Sequence, residues 1–355
     1  MYNEIDRRRA VAEGKKAFCG FWIKEREGSI ARANVLMQIL TVRRNDAGQR
    51  LDKFLTKAVR GLPLSLMYKY IRTKKIKVNR ARTQPNYMLQ EGDEIRLFIR
   101  EEFFSSPEAD MGAFSRITPK LEIVYEDENI LLLNKRPGVL VHEDTAAAEN
   151  TLILHVKAYL AQKGEYDPAN EQSFAPALCN RIDRNTGGIV IAAKNAEALR
   201  EMNERIRNDE LRKFYYCAVH GVPVRREATL RAWLRKDAAR NTVEISDTER
   251  RGFKEIITKY RVLRQKSGNA LLEVELVTGR THQIRAHLSH IGHPLLGDGK
   301  YGINREDRAK GYRFQALYAY RLEFRFRTAG GVLSSLNGRS FSLDADGIWF
   351  LKDFS

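Results

Sequence analysis

Residues 179–194 read CNRIDRNTGGIVIAAK. The first half is the densest polar cluster in the chain, and the second is a short apolar, β-branched strand at 189–192. The pair Gly187-Gly188 between them marks a place where the backbone comes close to something. Downstream, Ala196, Leu199, Met202 and Ile206 keep the spacing of one helix face, and a strand follows at 214–219. Residues 222–255 alternate charge with short apolar pairs and read as a hairpin region. In 272–276, Leu272, Val274 and Leu276 alternate with Glu273 and Glu275, the period of a half-buried strand. A turn at Thr278-Gly279 precedes a helix running to His290, with Thr281 as its expected cap. Upstream lie a buried strand at 130–134 (ILLLN), a turn at Pro137-Gly138, a strand at 139–142, a helix at 151–161 and a polar surface loop at 162–175. Many strands with interspersed helices and no βαβ rhythm predict an α+β domain over 119–355, with a mixed, mostly antiparallel sheet.

Within the polar cluster, Asp183 stands between Arg181 and Arg184. Flanking positive charge favours the carboxylate, which suits a nucleophile or base better than a neutral acid. The same residues could equally form a structural salt-bridge knot. A second cluster, 277–294, reads VTGRTHQIRAHLSHIGHP. Its Arg280, His282, Gln283 and Arg285 fall at a strand-to-helix junction, where free helix N–H groups and guanidiniums can hold phosphate; packing is the rival role. His287, His290 and His293 do not make a zinc site, because the helix ends at Gly292, no acid or cysteine joins them and the local charge is positive. The motifs of P-loop ATPases, zinc hydrolases, base deaminases and serine hydrolases are missing.

The chain has 355 residues, enough for two or three domains, and is 43% hydrophobic and 30% charged, as a globular protein with a core requires. Its 62 Lys and Arg against 45 Asp and Glu leave +17, which argues against basic partners and for a polyanion. Charge alone does not separate nucleic acid from an anionic membrane. Three cysteines, Cys19, Cys179 and Cys217, make neither a disulfide framework nor an all-cysteine zinc site and fit a cytoplasmic protein. No apolar run reaches membrane-spanning length and no leader-like apolar segment opens the chain, so neither a membrane nor secretion is expected.

Residues 1–36 have weak periodicity and read as a poorly ordered basic extension, with Met37 an alternative start. Over 37–100, a strand (MQILTV) precedes a helix whose Leu51, Phe54, Leu55, Ala58 and Val59 share one face, stopped by Gly61 and Pro63. A second short helix carries Leu64, Met67, Tyr68 and Ile71, and strands follow at 76–78 and through Ile95, Leu97 and Ile99. Residues 51–100 hold 12 basic and 4 acidic side chains. Lys69, Arg72, Lys74, Lys75, Lys77, Arg80 and Arg82 fall in 14 positions with no acid among them. A solvated face is the bland reading, but phosphates offset such repulsion better. Through QRLDKFL, KIKVN and EGDEI this module resembles an S4 domain, which implies binding of structured RNA by shape and backbone. Residues 101–118, with Ser105, Ser106, Pro107 and Gly112, read as a linker.

The larger domain resembles the pseudouridine synthases of the large-subunit rRNA and tRNA branch. The resemblance rests on NRIDRNTGGIVIAAK (180–194), TGRTHQIRAHLSHIGHPLLGDGKYG (278–302), ILLLNKRPGVLVH (130–142) and KFYYCAVHG (213–221), in family order. It implies isomerisation of uridine to pseudouridine with no cofactor and no metal. It also implies Asp183 as catalytic aspartate, Tyr215 as the tyrosine stacked on the target base, Arg184 as the arginine paired with Asp183, and Arg285 as a second basic residue near the pocket. Arg181, Arg280, His282 and Gln283 are expected on RNA, while Asn134, Lys135 and His142 match positions with mainly structural roles. The family usually has His, Leu, Asp and Ser where this chain has Asn180, Ile182, Asn185 and Gly187, and 328–355 lacks the usual His-Pro. The expected partner is structured RNA, first 23S rRNA or a large-subunit precursor, met by a cytoplasmic monomer. The rival readings are a tRNA or multi-substrate synthase and a noncatalytic RNA-binding ribosome-assembly factor.

Overall fold

A computed structural model describes residues 35–104, 114–141, 150–237, 242–302, 304–328 and 330–355. The expectations for 1–34 and His142 lie outside the described residues, as does the middle half of the expected linker, 105–113. The chain divides into two units.

The small unit holds β1 (Val35–Thr41), α1 (Leu51–Ala58), α2 (Leu64–Arg72), β2 (Ile76–Val78) and β3 (Glu94–Arg100). Its antiparallel sheet has the order β1-β3-β2, and β1 starts two residues before the expected Met37. The helical spacing delivers one apolar face: Leu51, Phe54, Leu55 and Val59 are fully buried against Met67, Ile71, Ile76, Ile95 and Leu97. Each such side chain contributes roughly 1.5–3 kcal/mol relative to exposure, so a core this small closes only when all are seated.

Part of the expected surface loop at 162–175 behaves differently, because residues 167–175 belong to the small unit. Gln49 donates to Ser173 Oγ at 2.7 Å, Ser173 donates to Asp46 at 2.6 Å, and Gln172 donates to the Thr41 carbonyl at 2.7 Å. Polarity suggested solvent; Ser173 instead donates to Asp46, which is completely buried, and Gln172 to a backbone carbonyl.

The large unit contains β4 (Ile123–Glu126), β5 (Ile130–Lys135), α3 (Leu152–Gln162), β6 (Ala177–Leu178), β7 (Gly187–Ala193), α4 (Ala196–Arg207), β8 (Leu211–His220), β9 (Glu227–Asp237), β10 (Thr242–Ser246), β11 (Lys254–Lys266), β12 (Asn269–Leu276), α5 (Gln283–His290), α6 (Asn304–Ala309), β13 (Leu317–Phe324) and β14 (Ser340–Ser342). The strands form one 11-stranded sheet in the order β10-β9-β11-β12-β8-β13-β7-β5-β4, with β14 on β13 and β6 on β7. Among the described strands only β13 and β7 pair in parallel, so the sheet is mixed and mostly antiparallel. Of the strand expected at 139–142, the described residues 139–141 form a single bridge, between Leu140 and Thr151.

Strand alternation gives the sheet two distinct faces. On the front face Tyr215, Cys217, Val219, Leu317 and Ala319 pack with Ile284 and Leu288 of α5. On the back face Phe214, Ala218, Tyr318 and Tyr320 pack with Ile348, Phe350 and Phe354 of the C-terminal segment. The glycine pair is explained at the β7–β13 contact. A Cβ at Gly187 would stand 2.3 Å from the Tyr318 ring, and one at Gly188, where φ is +117°, 2.2 Å from the Ala319 carbonyl oxygen. Only glycine permits this approach, and it holds the loop before β7 against the centre of the sheet.

Candidate active site

That loop, 179–186, carries Asp183. Its base is tied down by backbone partners: Asn180 Oδ1 accepts the Ile191 N–H at 2.8 Å, and the Thr186 N–H donates to the Asp183 carbonyl at 3.0 Å. The turn after β5 grips it from the other side. The Gly138 N–H donates to the Arg184 carbonyl at 2.9 Å, and Lys135 Nζ donates to the carbonyls of Arg136, Val139 and Arg184 at 3.1, 3.0 and 2.9 Å. Lys135 is 1% exposed. Burial pushes its ammonium down to about 7, against the opposing pull of Asp183. Its role as a structural member of the loop follows from those carbonyls.

The partner of Asp183 is Arg285, not the neighbouring Arg184. Arg285 Nη1 donates to Asp183 Oδ2 at 2.6 Å. Arg184 is exposed and turns its Nε to the Gly138 carbonyl at 3.1 Å. Chain adjacency does not bring side chains together on an irregular loop, whereas α5 presents Arg285 from the front face. Behind Arg285 sits Asp298, fully buried, which accepts Nε at 2.7 Å and Nη2 at 2.8 Å in the planar fork geometry of an arginine–carboxylate pair. Burial opposes the charge on Arg285, but the two carboxylates outweigh it and raise its pKa further. Burial would raise the Asp298 carboxyl, yet the Arg285 hydrogen bonds hold it below its ordinary value. The Asp298–Arg285–Asp183 chain thus fixes Oδ2. Among the described residues no donor reaches Oδ1.

Tyr215 rises from β8 into the same space and is buried. Burial, then the charge of Asp183, raises its phenol above the ordinary value, so it stays protonated. His282 stands at the start of α5 with φ +53°. Its Nε2 is 3.9 Å from Asp183 Oδ2, and its Nδ1 hydrogen-bonds with the Tyr301 hydroxyl at 2.9 Å. Burial pushes the imidazole down, as does Arg285, while Asp183 pulls the other way. His282 takes the position before the first helical residue, so Thr281 is not the cap.

Two residues expected on phosphate are engaged inside the protein. Arg285 is committed to two carboxylates, Asp183 and Asp298. Gln283 is buried; its Oε1 accepts from Thr278 Oγ1 at 2.9 Å and the Arg280 N–H at 3.1 Å, while its Nε2 donates to the Ile257 carbonyl and Thr258 Oγ1. A glutamine with all four positions used has nothing left for a ligand. Arg181, Arg184 and Arg280 are exposed around the loop and α5. In the small unit Lys69, Arg72, Lys74, Lys75, Arg80 and Arg82 are exposed, Lys77 is half-buried, and none of the seven pairs with a carboxylate among the described residues. Lys75 Nζ lies 5.0 Å over the Tyr70 ring. The three spaced histidines take different partners: Thr258 for His287, Asp247 for His290, the His220 carbonyl for His293. Among the described residues no cluster suits a metal, and no helix is long and apolar enough to cross a membrane. Asp298 and Tyr301 had no role in the sequence reading. Their only signal was their place in LLGDGKYG at the end of the motif 278–302.

The profile of the RNA pseudouridylate synthases matches residues 129–290, and that of the S4 domain matches 49–95. The chain is 34% identical over 273 residues to the ribosomal large subunit pseudouridine synthase C of Buchnera aphidicola subsp. Baizongia pistaciae (strain Bp), covering 76% of this chain and 82% of that one. It is 31% identical over 308 residues to the protein of the same name from Escherichia coli (strain K12), covering 84% and 91%. The solved structure of human RNA pseudouridylate synthase domain containing 1 aligns with a TM-score of 0.48 at 20% identity, over 67% of this chain and 97% of that one. With 82% of the Buchnera relative spanned at that identity, and an S4 domain ahead of the catalytic match, the chain belongs to the RNA pseudouridine synthase family of isomerases.

Proposed function

We infer that the chain converts uridine to pseudouridine in 23S ribosomal RNA or its large-subunit precursor, with Asp183 as the reacting carboxylate. The observation that carries this is the 2.6 Å bond from Arg285 to Asp183 Oδ2, which orients the other oxygen for reaction. The reaction breaks the bond between N1 and the ribose C1′ and makes one between C5 and C1′. N1 gains a proton and C5 loses one, so atoms and charge balance without an outside group. A carboxylate aimed by a buried arginine suits attack on, or elimination from, the target nucleotide. The protonated Tyr215 offers an aromatic face on which the freed base can turn, and a hydroxyl near the proton to be moved. A target uridine must leave its stack, and Arg181, Arg184 and Arg280 are placed to hold the extruded backbone. The relatives named for the ribosomal large subunit support rRNA over tRNA as substrate. The basic residues of the S4 domain support binding to structured RNA, and on this reading the chain acts as a cytoplasmic monomer.

The test is Asp183→Asn, assayed by tritium release from 5-tritiated uridine in 23S rRNA. Release should vanish while RNA affinity and the folded state persist; activity within about tenfold of the parent refutes the assignment. Pseudouridine mapping in cells with and without the gene separates rRNA from tRNA as target.

A further inference from the structure

A cavity of about 610 Å³ opens on the back face of the large sheet, across it from Tyr215. The reaction described above makes no use of it. Phe314, Tyr318 and Trp349 line it, with Arg136 and Arg313. Its polar floor is pinned, since the Tyr318 hydroxyl donates to Asn134 Oδ1 at 2.9 Å and Asn134 Nδ2 donates to Glu122 Oε1 at 2.6 Å. Both arginines are exposed, and neither guanidinium pairs with a carboxylate among the described residues. Other arginines of this unit, among them Arg205, Arg212, Arg285 and Arg321, do pair with carboxylates. Aromatic faces beside two unpaired guanidiniums match one ligand chemistry: a planar base to stack and a phosphate to hold. The exposure of both arginines leaves that phosphate at the solvent edge, where a strand can enter and leave. An enclosed mononucleotide site would bury them.

We propose that this back-face cavity takes one unstacked nucleotide of the RNA, its base against Phe314 and Trp349 and its phosphate between Arg136 and Arg313. The proposal rests on RNA being the substrate. It also links the two faces of the sheet. Phe314 lies over Gly138, where a Cβ would come within 3.3 Å of its ring, and Gly138 donates to the carbonyl of Arg184, next to Asp183. One turn, 136–138, therefore walls the cavity and supports the loop of the reacting carboxylate.

The probe is a penta-adenylate strand carrying 8-azidoadenosine, titrated against the full chain. It contains no uridine, so the outcome does not depend on isomerisation. Photocrosslinks should map to peptides holding Phe314 or Trp349, and should persist in Asp183→Asn and in the Lys74→Gln/Lys75→Gln/Lys77→Gln variant. Arg136→Gln/Arg313→Gln, both at exposed positions, should abolish those crosslinks and lower the salt slope of log affinity by up to about 1.4. Phe314→Ala should weaken binding at this site by roughly 5- to 100-fold. Crosslinks confined to the S4 domain or the front face would overturn the proposal, as would an arginine variant that crosslinks like the parent. AMP competing as well as the strand would show a free-nucleotide site and overturn the assignment to RNA.

Discussion

Asp298→Asn keeps the side chain's shape and removes one buried charge. Asp298 is fully buried and accepts two bonds from Arg285, at 2.7 and 2.8 Å, and the backbone N–H of Lys300 at 2.9 Å. An asparagine keeps one acceptor oxygen but must turn an NH₂ group toward a donor. Arg285, itself buried, then has Asp183 as its remaining close counter-charge. Breaking a buried pair from one side costs about 3–5 kcal/mol, a large share of the about 5–15 kcal/mol that holds a typical domain folded. Asp183 also loses its fixed donor, and misplacement of that order slows turnover by about 10²-fold. Urea unfolding reads the first effect and tritium release the second. Arg285→Gln alone orphans Asp298 in the same way, whereas the double variant removes both charges. Its cost should fall short of the sum of the singles by about 2–3 kcal/mol. A loss in Asp298→Asn below about 1 kcal/mol, or strict additivity in the cycle, refutes the view that Asp298 positions the reacting carboxylate through Arg285.

Tyr215→Phe keeps the ring and removes the hydroxyl; turnover should fall by roughly 10²–10⁴ if the phenol moves a proton, and Tyr215→Leu should be worse still. Phe and Leu variants both as active as the parent would remove Tyr215 from the pocket. Replacing Lys74, Lys75 and Lys77 with Gln should lower the salt slope of RNA affinity by as much as about 2–3 while leaving the saturated single-turnover rate near the parent. An unchanged slope between about 50 and 200 mM salt makes that surface a merely solvated face. Glu126 accepts from Lys163, Lys194 and Tyr159. Burial would raise its carboxyl, but those three outweigh burial and hold it at about 2 instead of 4.5. A carboxyl depressed in the folded state stabilises fully above its unfolded value and loses that contribution as pH falls through its folded one. Stability should therefore decline between about pH 4.5 and 2, and Glu126→Gln should flatten that part of the pH profile.

Local pattern carried much of this protein. The i, i+3, i+4 spacing from Leu51 to Val59 became the buried face of α1. The alternation at Leu272 to Leu276 became β12. Asp183 and Tyr215 each sit in a contiguous stretch of motif, and the structure brings the two near each other. Where the reading departed from the molecule, the cause was contact between segments distant in the chain. Gly187 and Gly188 announced a close approach, but nothing in the linear order pointed to Tyr318 and Ala319 as the strand approached. Residues 167–175 are polar enough for solvent, yet Ser173 among them donates to a buried aspartate more than a hundred positions earlier. Arg184 is next to Asp183 in the chain and bonds elsewhere, while Arg285, 102 positions away, supplies the guanidinium. Periodicity records which face a residue shows, and motif order records which chemistry is present. The choice of arginine for the carboxylate, and the buried aspartate behind it, depends on how α5 and the β6–β7 loop meet across the front of the sheet. That is a property of long-range packing, because charged groups leaving water take whichever partner offers the best-formed hydrogen bonds in space, whatever their separation along the chain.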